Sequence, residues 1–296
     1  MATVYLNGKL LPRTEARVPA EDRAVLFGDG VFETLRAYGG RVLRFSEHFT
    51  RLRHSLDAIG MALPVADEDL IEGIRALLEN EGLREARIRI TITGGPDDGA
   101  LRLRRAHPPN VLITAIPFRP LAPETYARGV ALITSPFRVH DTSPLARIKT
   151  TDRLVHLMAK ETALERGAYD AVFLDEAGHV LETTAANVFF ASERVVYTAS
   201  LDCPVLPGVT RDLVFEAARS AEVSIQEGRF PLERVLEADE AFLTGTTVEL
   251  LGVRSIDSRP IGRGRPGPLR ERLHRAYREL AGRELGIPLA PEDDGP

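Results

Sequence analysis

The chain has 296 residues, 44% of them hydrophobic, which is enough for two ordinary globular domains or one large one. Its formal net charge of -5 excludes the chain-wide basic field that nucleic-acid binding relies on, so we expect no nucleic-acid partner. The single cysteine, Cys203, excludes an internal disulfide and a cysteine-based metal site, and no metal is predicted. Since there is neither a secretion signal pattern nor an apolar run of membrane-spanning length, we expect a cytoplasmic protein that is not membrane-embedded.

The first part of the chain predicts a compact α+β domain. The turn-forming pairs Asn7-Gly8 and Gly39-Gly40 indicate hairpins. Apolar residues at helical spacing indicate two helices, the first capped by Ser46 and ended by Gly60. The predicted elements are a hairpin at 3–11, a strand pair at 31–45, a helix from 46, a helix at 67–80, and strands at 86–93 and 111–117.

A proline-rich stretch from about 117 to 145 predicts the connection between two domains, which we place at 1–118 and 119–296. The second domain is predicted to carry a helix from Lys149 through Arg166, ended by Gly167. Its other predicted elements are a strand at 131–137, a hairpin turning at 175–178, a strand at 195–198, a helix after Pro207-Gly208 and a helix at 269–280. The tail after Pro288 is expected to be disordered.

Two charged residues lie in unusual surroundings. Lys149 follows the apolar Ile148. Without further context, however, it would be interpreted as one of many solvated charges on the surface. Glu182, 33 residues later, lies in a run that otherwise suits a buried strand, where a carboxylate needs a partner.

Several motifs follow one another in a fixed order along the chain, at 22–23, 27–36, 48–52, Lys149, 182–189, 206–211 and 243–249. This ordered set resembles the class IV aminotransferases, the fold-type IV family of pyridoxal-phosphate enzymes. The resemblance covers roughly residues 3 to 280.

The resemblance implies a two-domain α+β fold of the D-amino-acid aminotransferase-like type, with pyridoxal 5'-phosphate as the cofactor. It implies that Lys149 is the catalytic residue and binds the cofactor covalently, and that Glu182 faces the pyridine nitrogen. It also implies that Arg51, the amides of Val209 and Thr210, and Thr246 surround the phosphate. The helix start after Gly208 suits this role, since free N–H groups and the positive end of the helix dipole favour an anion. Phe32, Arg89 and Thr247 are the candidate substrate-binding residues.

The chemistry explains why such a set is needed together. A neutral lysine amine can attack the cofactor aldehyde, and once displaced it can move the proton of the substrate Cα. A carboxylate beside the ring nitrogen keeps that nitrogen protonated, which makes the ring a better electron acceptor. We therefore predict a transaminase that moves an amino group between an amino acid and a 2-oxo acid such as 2-oxoglutarate in a ping-pong reaction.

The family contains three activities, and the fold does not choose among them. Residues 86–89 resemble a segment of the branched-chain aminotransferases, which favours an L-amino acid of the branched-chain type. Arg87 replaces a tyrosine of that segment, and Arg153 and Leu154 replace an Asn-Tyr pair. Thr34 resembles the aminodeoxychorismate lyases, which release 4-aminobenzoate and pyruvate. Residues 105–107 have the letters of the Arg-x-His motif of D-amino-acid transaminases, without its usual flanks.

Two further expectations complete the sequence-based prediction. The family's active site is completed at a dimer interface, so the resemblance implies a homodimer. The non-enzymatic alternative is a small-molecule binding protein on the same scaffold, in which Lys149 makes a salt bridge. The added cation Arg87 favours substrates with a second carboxylate, such as glutamate or 2-oxoglutarate, over purely aliphatic ones.

Overall fold

The computed structural model of the protein describes residues 2–289 and contains two compact units. The first unit comprises the residues up to Arg119 together with Ile148–Arg153, and the second comprises Pro120–Arg147 together with the residues from Leu154 onward. Each unit contains a sheet and helices, which confirms the predicted α+β class. From residue 290 onward, the tail that was predicted to be disordered lies outside the described residues.

The N-terminal unit is built on a six-stranded antiparallel sheet. Its elements in chain order are β1 (Thr3–Leu6), β2 (Lys9–Pro12), α1 (Arg23–Phe27), β3 (Gly30–Tyr38), β4 (Arg41–Val42), α2 (Phe45–Ala58), α3 (Asp67–Glu81), β5 (Ala86–Thr93) and β6 (Asn110–Pro117). The strand order is β2-β1-β6-β5-β3-β4, so β3 and β5, which carry candidate site residues, are neighbours.

The two faces of this sheet differ in chemistry because successive residues of a strand point to opposite sides. One face packs its apolar side chains, among them Leu35 and Ile88, against Leu52 of α2 and Ile74 of α3, and forms the core of the unit. The other face carries Phe32 of β3 and its cross-strand neighbour Thr91 of β5. Glu33 interrupts the apolar pattern of the core face and is fully buried there.

The hairpin predicted at residues 3–11 is confirmed, and Asn7 and Gly8 form its turn with positive φ values. The predicted cap of the next helix is wrong. Helix α2 starts at Phe45, and its N-cap is Arg44, in the left-handed conformation and without a side-chain cap hydrogen bond. Ser46 lies inside the first turn, where its hydroxyl donates to the Glu47 side chain.

The segment that contains Lys149 departs from the prediction in two ways. It is not helical, because Lys149 O accepts from Phe32 N at 2.8 Å and Thr151 N donates to Gly30 O at 2.9 Å, so that it pairs with the start of β3. For the same reason it groups with the N-terminal unit and not with the second domain that was predicted to carry the lysine. The helix predicted from Lys149 begins only at Leu154.

The C-terminal unit is built on a nine-stranded mixed sheet. Its elements are α4 (Pro123–Arg128), β7 (Val130–Val139), α5 (Leu154–Glu165), β8 (Asp170–Asp175), β9 (Val180–Thr183), β10 (Asn187–Ser192), β11 (Val195–Ala199), α6 (Val209–Ser220), β12 (Ser224–Gly228), α7 (Leu232–Leu236), β13 (Glu240–Gly245), β14 (Glu249–Ile256), β15 (Arg259–Pro260) and α8 (Pro268–Leu285).

The sheet of this unit closes on itself. The strand order is β12-β11-β10-β13-β14-β7-β8-β9, and β9 also pairs with β10, so six strands from β10 to β9 form a ring. The closing pair is Glu182 with Asn187. The candidate residue Glu182 therefore lies where the ring of strands closes.

Among the described residues, no helix combines the length and the apolar composition that a membrane crossing would need.

Candidate active site

In the N-terminal unit, Lys149 is held beside the ring of Phe32. Its backbone is fixed on both sides, by the bond from Phe32 N to its carbonyl and by donation of its own N–H to Ser55 Oγ at 3.2 Å. The Lys149 Nζ atom lies 4.9 Å from the centroid of the Phe32 ring, and the guanidinium carbon of Arg89 lies 3.7 Å from the same centroid. The structure thus brings the predicted catalytic lysine and two predicted substrate-binding residues together.

Arg51, the predicted phosphate ligand of this unit, lies in a buried network on the core face. Its Nε donates to Glu33 Oε1 and its Nη2 donates to Glu33 Oε2, both at 2.7 Å. His48, one turn earlier on α2, lies 2.8 Å from Glu33 Oε2 through its Nδ1. All three side chains are at most 8% exposed, so the guanidinium is fixed in place by a paired carboxylate.

The charges of this network follow from its geometry. Burial by itself would raise the pKa of the Glu33 carboxyl, but the two bonds from Arg51, together with His48, hold that pKa well below its ordinary value. Burial lowers the pKa of His48, and the positive charges of Arg51 and Lys149 lower it further, while Glu33 opposes them. The lowered pKa favours the neutral form of His48, and its Nδ1–H is the donor to Glu33, because a carboxylate can only accept.

In the C-terminal unit, Glu182 is half-buried and its orientation is fixed by two donors. Its Oε2 accepts from Asn187 Nδ2 and from the backbone amide of Leu206, each at 3.1 Å. The same Asn187 amide also donates to Leu206 O at 3.0 Å. Glu182 is therefore not an ordinary surface carboxylate at a strand edge, because two part-buried hydrogen bonds to its Oε2 fix its orientation.

The predicted anion site at residues 208–210 has the expected backbone. Gly208 is the N-cap of α6, with no side-chain cap, and the helix begins at Val209 followed by Thr210. The amides of a first helical turn have no acceptor within the helix, and the dipole makes this end positive. A Cβ atom on Gly208 would overlap Asn187 Oδ1, so a larger residue here requires either the Asn187 side chain or this turn to shift.

Thr246 and Thr247 lie in the turn between β13 and β14, and both are half-buried. The turn begins at the same end of the sheet as Asn187, because Asn187 is the register partner of Thr244. The hydroxyl of Thr244 is buried and has no hydrogen-bond partner among the described residues. A buried hydroxyl without a partner is costly, which is consistent with a site that receives an additional polar group.

Arg105 belongs to the segment that has the letters of an Arg-x-His motif, but its side chain binds other residues of the N-terminal unit. It forms an ion pair with Asp29, and its Nη1 donates to the carbonyls of Ile59 and Gly60 at 3.1 Å. With 6% of its side chain exposed, it holds a loop in place within the N-terminal unit. Leu154, which replaces the tyrosine of the branched-chain group, is 65% exposed at the start of α5.

Sequence reasoning missed three residues that position the candidate site. Glu33 orients Arg51, Ser55 binds the backbone of Lys149, and Asn187 connects Glu182 with the turn at Gly208. Only Glu33 carried a usable signal: it is a carboxylate in an apolar strand, the same observation that singled out Glu182.

Comparison with known proteins agrees with this arrangement. The family model for amino-transferase class IV matches residues 30–256. The chain is 33% identical over 276 residues to the D-alanine aminotransferase of Bacillus licheniformis, covering 92% of this chain and 95% of that protein. It is 31% identical over 286 residues to the branched-chain-amino-acid aminotransferase of Pseudomonas aeruginosa, covering 94% of this chain and 92% of that protein.

Among solved structures, a T.th. branched-chain amino acid aminotransferase with pyridoxamine 5'-phosphate superposes with a TM-score of 0.89 at 32% sequence identity, covering 99% of both chains. The chain belongs to the class IV aminotransferases. It is a pyridoxal-phosphate-dependent transaminase with the α+β fold of fold type IV, and its substrates are an amino acid and a 2-oxo acid.

The residues present fit the cofactor. A phosphate is matched by the N-terminus of α6 and by the hydroxyls of the turn after β13. Beside that turn, the buried Thr244 hydroxyl of β13 has no hydrogen-bond partner among the described residues. The Glu182 carboxylate, whose orientation is fixed by two hydrogen bonds, matches a protonated ring nitrogen of the cofactor. The Lys149 amine, which lies over the Phe32 ring, matches the cofactor aldehyde.

Proposed function

We propose that this aminotransferase moves the amino group of an L-amino acid, of the branched-chain type or similar, to 2-oxoglutarate in two alternating half-reactions. The observation that carries the proposal is the shared contact of Arg89 and Lys149 with Phe32, at 3.7 and 4.9 Å from the ring centroid. This contact holds a cation suited to a substrate carboxylate beside the reactive amine. The similarity to the Pseudomonas aeruginosa and T.th. enzymes, both named for branched-chain amino acids, supports the choice of substrate.

We propose the following roles for the site residues. Lys149 binds the cofactor and moves the proton of the substrate Cα, and Phe32, Arg89 and Thr247 contact the substrate. Glu182 accepts a hydrogen bond from the protonated ring nitrogen through its fixed carboxylate. The Val209 and Thr210 amides, Thr246 and the guanidinium of Arg51 bind the phosphate. When bound, the cofactor supplies an aldehyde for the amino group and a ring that accepts the electrons of the Cα–H bond.

Removing Lys149 tests these roles most directly. Lys149→Ala is expected to lose the lysine-bound visible absorption of the holoenzyme and at least a thousandfold in transamination rate, because both the covalent link and the proton carrier disappear. The measurement is the visible spectrum after cofactor addition, together with stopped-flow half-reactions.

The matched control is Lys160→Ala, since Lys160 lies on α5 and its Nζ donates to Tyr169 O in the C-terminal unit. The control should keep the wild-type spectrum. If Lys149→Ala retains both the lysine-bound absorption and the rate, the assignment of Lys149 is wrong.

A D-amino-acid transaminase is the second candidate, because the Bacillus licheniformis D-alanine enzyme is similarly related. The engagement of Arg105 with Asp29 argues against an Arg-x-His substrate motif in this chain. Half-reactions with L-leucine, L-glutamate, D-alanine and aminodeoxychorismate separate the candidates. Loss of the lysine-bound absorption with L-amino acids supports the proposal. Reaction with D-alanine alone, or release of pyruvate and 4-aminobenzoate alone, overturns it.

We also propose that the protein acts in the cytoplasm as a homodimer. Helix α5 supports the dimer, because its buried residues are only Ala159 and Ala163, while Leu154, Leu157 and Met158 are 65%, 64% and 47% exposed. An apolar surface of this kind on a helix favours a protein partner, and the family resemblance supports a second copy of this chain as that partner.

Light scattering coupled to size-exclusion chromatography tests the dimer. The wild type is expected at about twice the chain mass, and Leu157→Glu is expected to shift it toward monomer, because a charge is then buried in the contact. Ile71→Glu is the control, since Ile71 is 45% exposed on α3 and serves no proposed contact. A monomeric wild type contradicts the proposal.

A further inference from the structure

The C-terminal unit contains an open cleft of about 420 Å³ that none of the candidate site residues lines. Among the residues that line it are Arg128 at the end of α4, Arg254 of β14 and Tyr169 just before β8. Both arginines are exposed, and Tyr169 is half-buried. Because small-molecule sites have volumes in this range, the cleft has room for a metabolite-sized ligand.

Close packing of the backbone brings the end of α4 against β14. Gly129, the residue after Arg128, has a φ of 70°. A Cβ atom on Gly129 would lie only 3.0 Å from Gly252 O, so a larger residue would be strained in conformation and crowded by the strand. The glycine therefore fixes the position from which Arg128 extends.

A β-bulge determines the position of the second arginine. In the parallel pairing of β14 with β7, Val253 is opposite Val130. Ser255 is opposite the next residue, Ala131, which leaves Arg254 as an extra residue in its strand. Bulges are rare between parallel strands, and they change the direction of a side chain. The irregularity therefore occurs at the residue that lines the cleft.

The protein does not neutralise either guanidinium. In the part of the chain that the structure describes, the side chains of Arg128 and Arg254 form no ion pair and no hydrogen bond. Glu124 is the one carboxylate among the residues that line the cleft, so the cleft has an excess of positive charge. Both guanidinium groups thus keep their donors for a ligand, and each can bind a carboxylate or a phosphate in a bidentate manner.

The neighbouring surface adds positive charge. Residues 254–265 include four arginines, all exposed, and a single carboxylate, Asp257, which accepts from the amide and the hydroxyl of Thr134. Pro266, directly after this segment, packs against Gly129, so the segment borders the cleft. In a chain with a net charge of -5, this local excess of arginine creates a positive potential that attracts anions.

Tyr169 adds an uncharged donor. Burial, together with the negative charge of Asp170, raises the pKa of the Tyr169 hydroxyl, so the phenol keeps its proton. Its hydroxyl forms no hydrogen bond with the described residues, and its backbone is fixed by donation to Ala131 O at 2.8 Å. The hydroxyl can therefore donate to an anion in the cleft.

The cleft is separate from the proposed cofactor site of the same unit. Strand β14 begins at Glu249, soon after Thr246 and Thr247, and Arg254 lies five residues further along it. At about 3.3 Å per residue, these two positions are about 17 Å apart. A ligand in the cleft can therefore bind while the cofactor stays in place.

We propose that Arg128, Arg254 and Tyr169 form a second ligand site, which binds a small organic anion with two phosphate or carboxylate groups. One anionic group contacts each guanidinium, and the Tyr169 hydroxyl donates to one of them. The site is independent of the transaminase reaction, so either assignment can fail without the other.

Calorimetric titration of the wild-type holoenzyme at low salt is the first test. Pyrophosphate and citrate are the probes, because one carries phosphate groups and the other carries carboxylates. Saturable binding of either anion, with one site per chain and no change in the cofactor absorption, supports the site. The affinity should fall as sodium chloride is raised, because the contacts are electrostatic. The anion that binds more tightly identifies the preferred group, and no saturable binding of either one overturns the proposal.

Variants then identify the residues. Arg128→Gln/Arg254→Gln should weaken binding of the tighter probe by roughly tenfold, because two charge-assisted contacts are lost. Tyr169→Phe keeps the ring and removes only the donor, so its loss should be smaller, about threefold. The transamination rate should not change in any of these variants, because the cleft is separate from the reacting groups.

Arg219→Gln/Arg283→Gln is the matched control. It removes the same charge from exposed positions on α6 and α8 of the same unit, away from the cleft residues, and should keep the wild-type affinity. If the cleft variant binds the probe as tightly as the wild type, or if the control loses as much affinity, the assignment of Arg128 and Arg254 is wrong. A failure of the proposed function would appear separately, as a wild-type protein that transaminates no L-amino acid.

Discussion

The two units hold their candidate site residues by different physical means. In the N-terminal unit, Arg51 is positioned by charged side chains, since it is bound by the buried carboxylate of Glu33 next to a neutral His48. In the C-terminal unit, the predicted phosphate site consists largely of backbone. It is formed by the first turn of α6 and by Gly208, which packs against Asn187. One region depends on the balance of charges, and the other depends on close packing of the chain.

The difference determines which changes each region tolerates. A charge network fails when one charge is removed without a change of shape, because the remaining charge is left buried and uncompensated. A backbone site is insensitive to charge but fails when an added methyl group moves the chain. Substitutions that change charge alone or volume alone should therefore separate the two regions.

The largest effect is expected for Glu33→Gln. The substitution keeps the shape of the side chain but removes the negative charge that pairs with the buried guanidinium of Arg51, so we expect a loss of about 3 kcal/mol in the free energy of unfolding. Because Arg51 then loses its fixed orientation, the affinity for the cofactor should fall as well. Denaturant unfolding and cofactor titration measure the two effects.

The matched control for this charge is Glu72→Gln, in which an exposed carboxylate of α3 loses its pairing with Arg75. Its unfolding midpoint should equal that of the wild type, because an exposed ion pair contributes little. If Glu33→Gln is as stable as this control, the paired charges do not hold the N-terminal region together.

A smaller effect, on cofactor binding, is expected for Gly208→Ala. The new Cβ atom overlaps Asn187 Oδ1, so either the turn before α6 moves or the Asn187 side chain shifts and disturbs its bonds to Glu182 and Leu206. We expect roughly a tenfold loss in cofactor affinity, since a displaced helix N-terminus no longer directs its amides correctly. Titration of the visible absorption with added cofactor measures it.

Gly245→Ala is the control at the same end of the sheet, because the nearest atoms to its Cβ, at 3.4 to 3.6 Å, are at ordinary contact distance. It should bind the cofactor nearly as well as the wild type. Equal losses in both variants would show that any change at this end matters, and would refute the specific role of the Gly208 approach.

The smallest effect concerns mild acid. The pKa of His48 is lower in the folded state than its ordinary value of 6.5, so the unfolded chain binds more protons and stability is lost as the pH falls below 6.5. One such group contributes a slope of at most about 1.4 kcal/mol per pH unit. The lowered pKa of Glu33 adds in the same direction, but only below its ordinary value of 4.5.

Unfolding free energies measured between pH 7.5 and pH 5 test this slope, over a range chosen to precede the titration of Glu33. His48→Asn should reduce the slope, because asparagine can still donate to Glu33 and does not titrate. His54→Asn, at an exposed position of the same helix, is the control and should keep it. An unchanged slope in His48→Asn would remove His48 as its source.

Much of the fold could be predicted from periodicity and turn chemistry. The strand at 86–93 and the hairpin around Asn7-Gly8 were found because apolar alternation and a left-handed turn are local properties. The start of the helix at Lys149 was missed because the backbone of that residue pairs with Phe32, more than a hundred residues away. The cap at Ser46 was missed because Arg44 adopts the left-handed conformation instead.

The sequence by itself determined the family, the α+β class and the set of residues proposed to bind the cofactor, because these follow from ordered motifs and from composition. Only the tertiary structure decided how those residues are held. Pairing with β3 places Lys149 over Phe32, a buried carboxylate orients Arg51, and the closing strand pair fixes Glu182. Apart from the neighbouring pair Glu182 and Asn187, these contacts join residues from different parts of the sequence, so no local pattern could encode them.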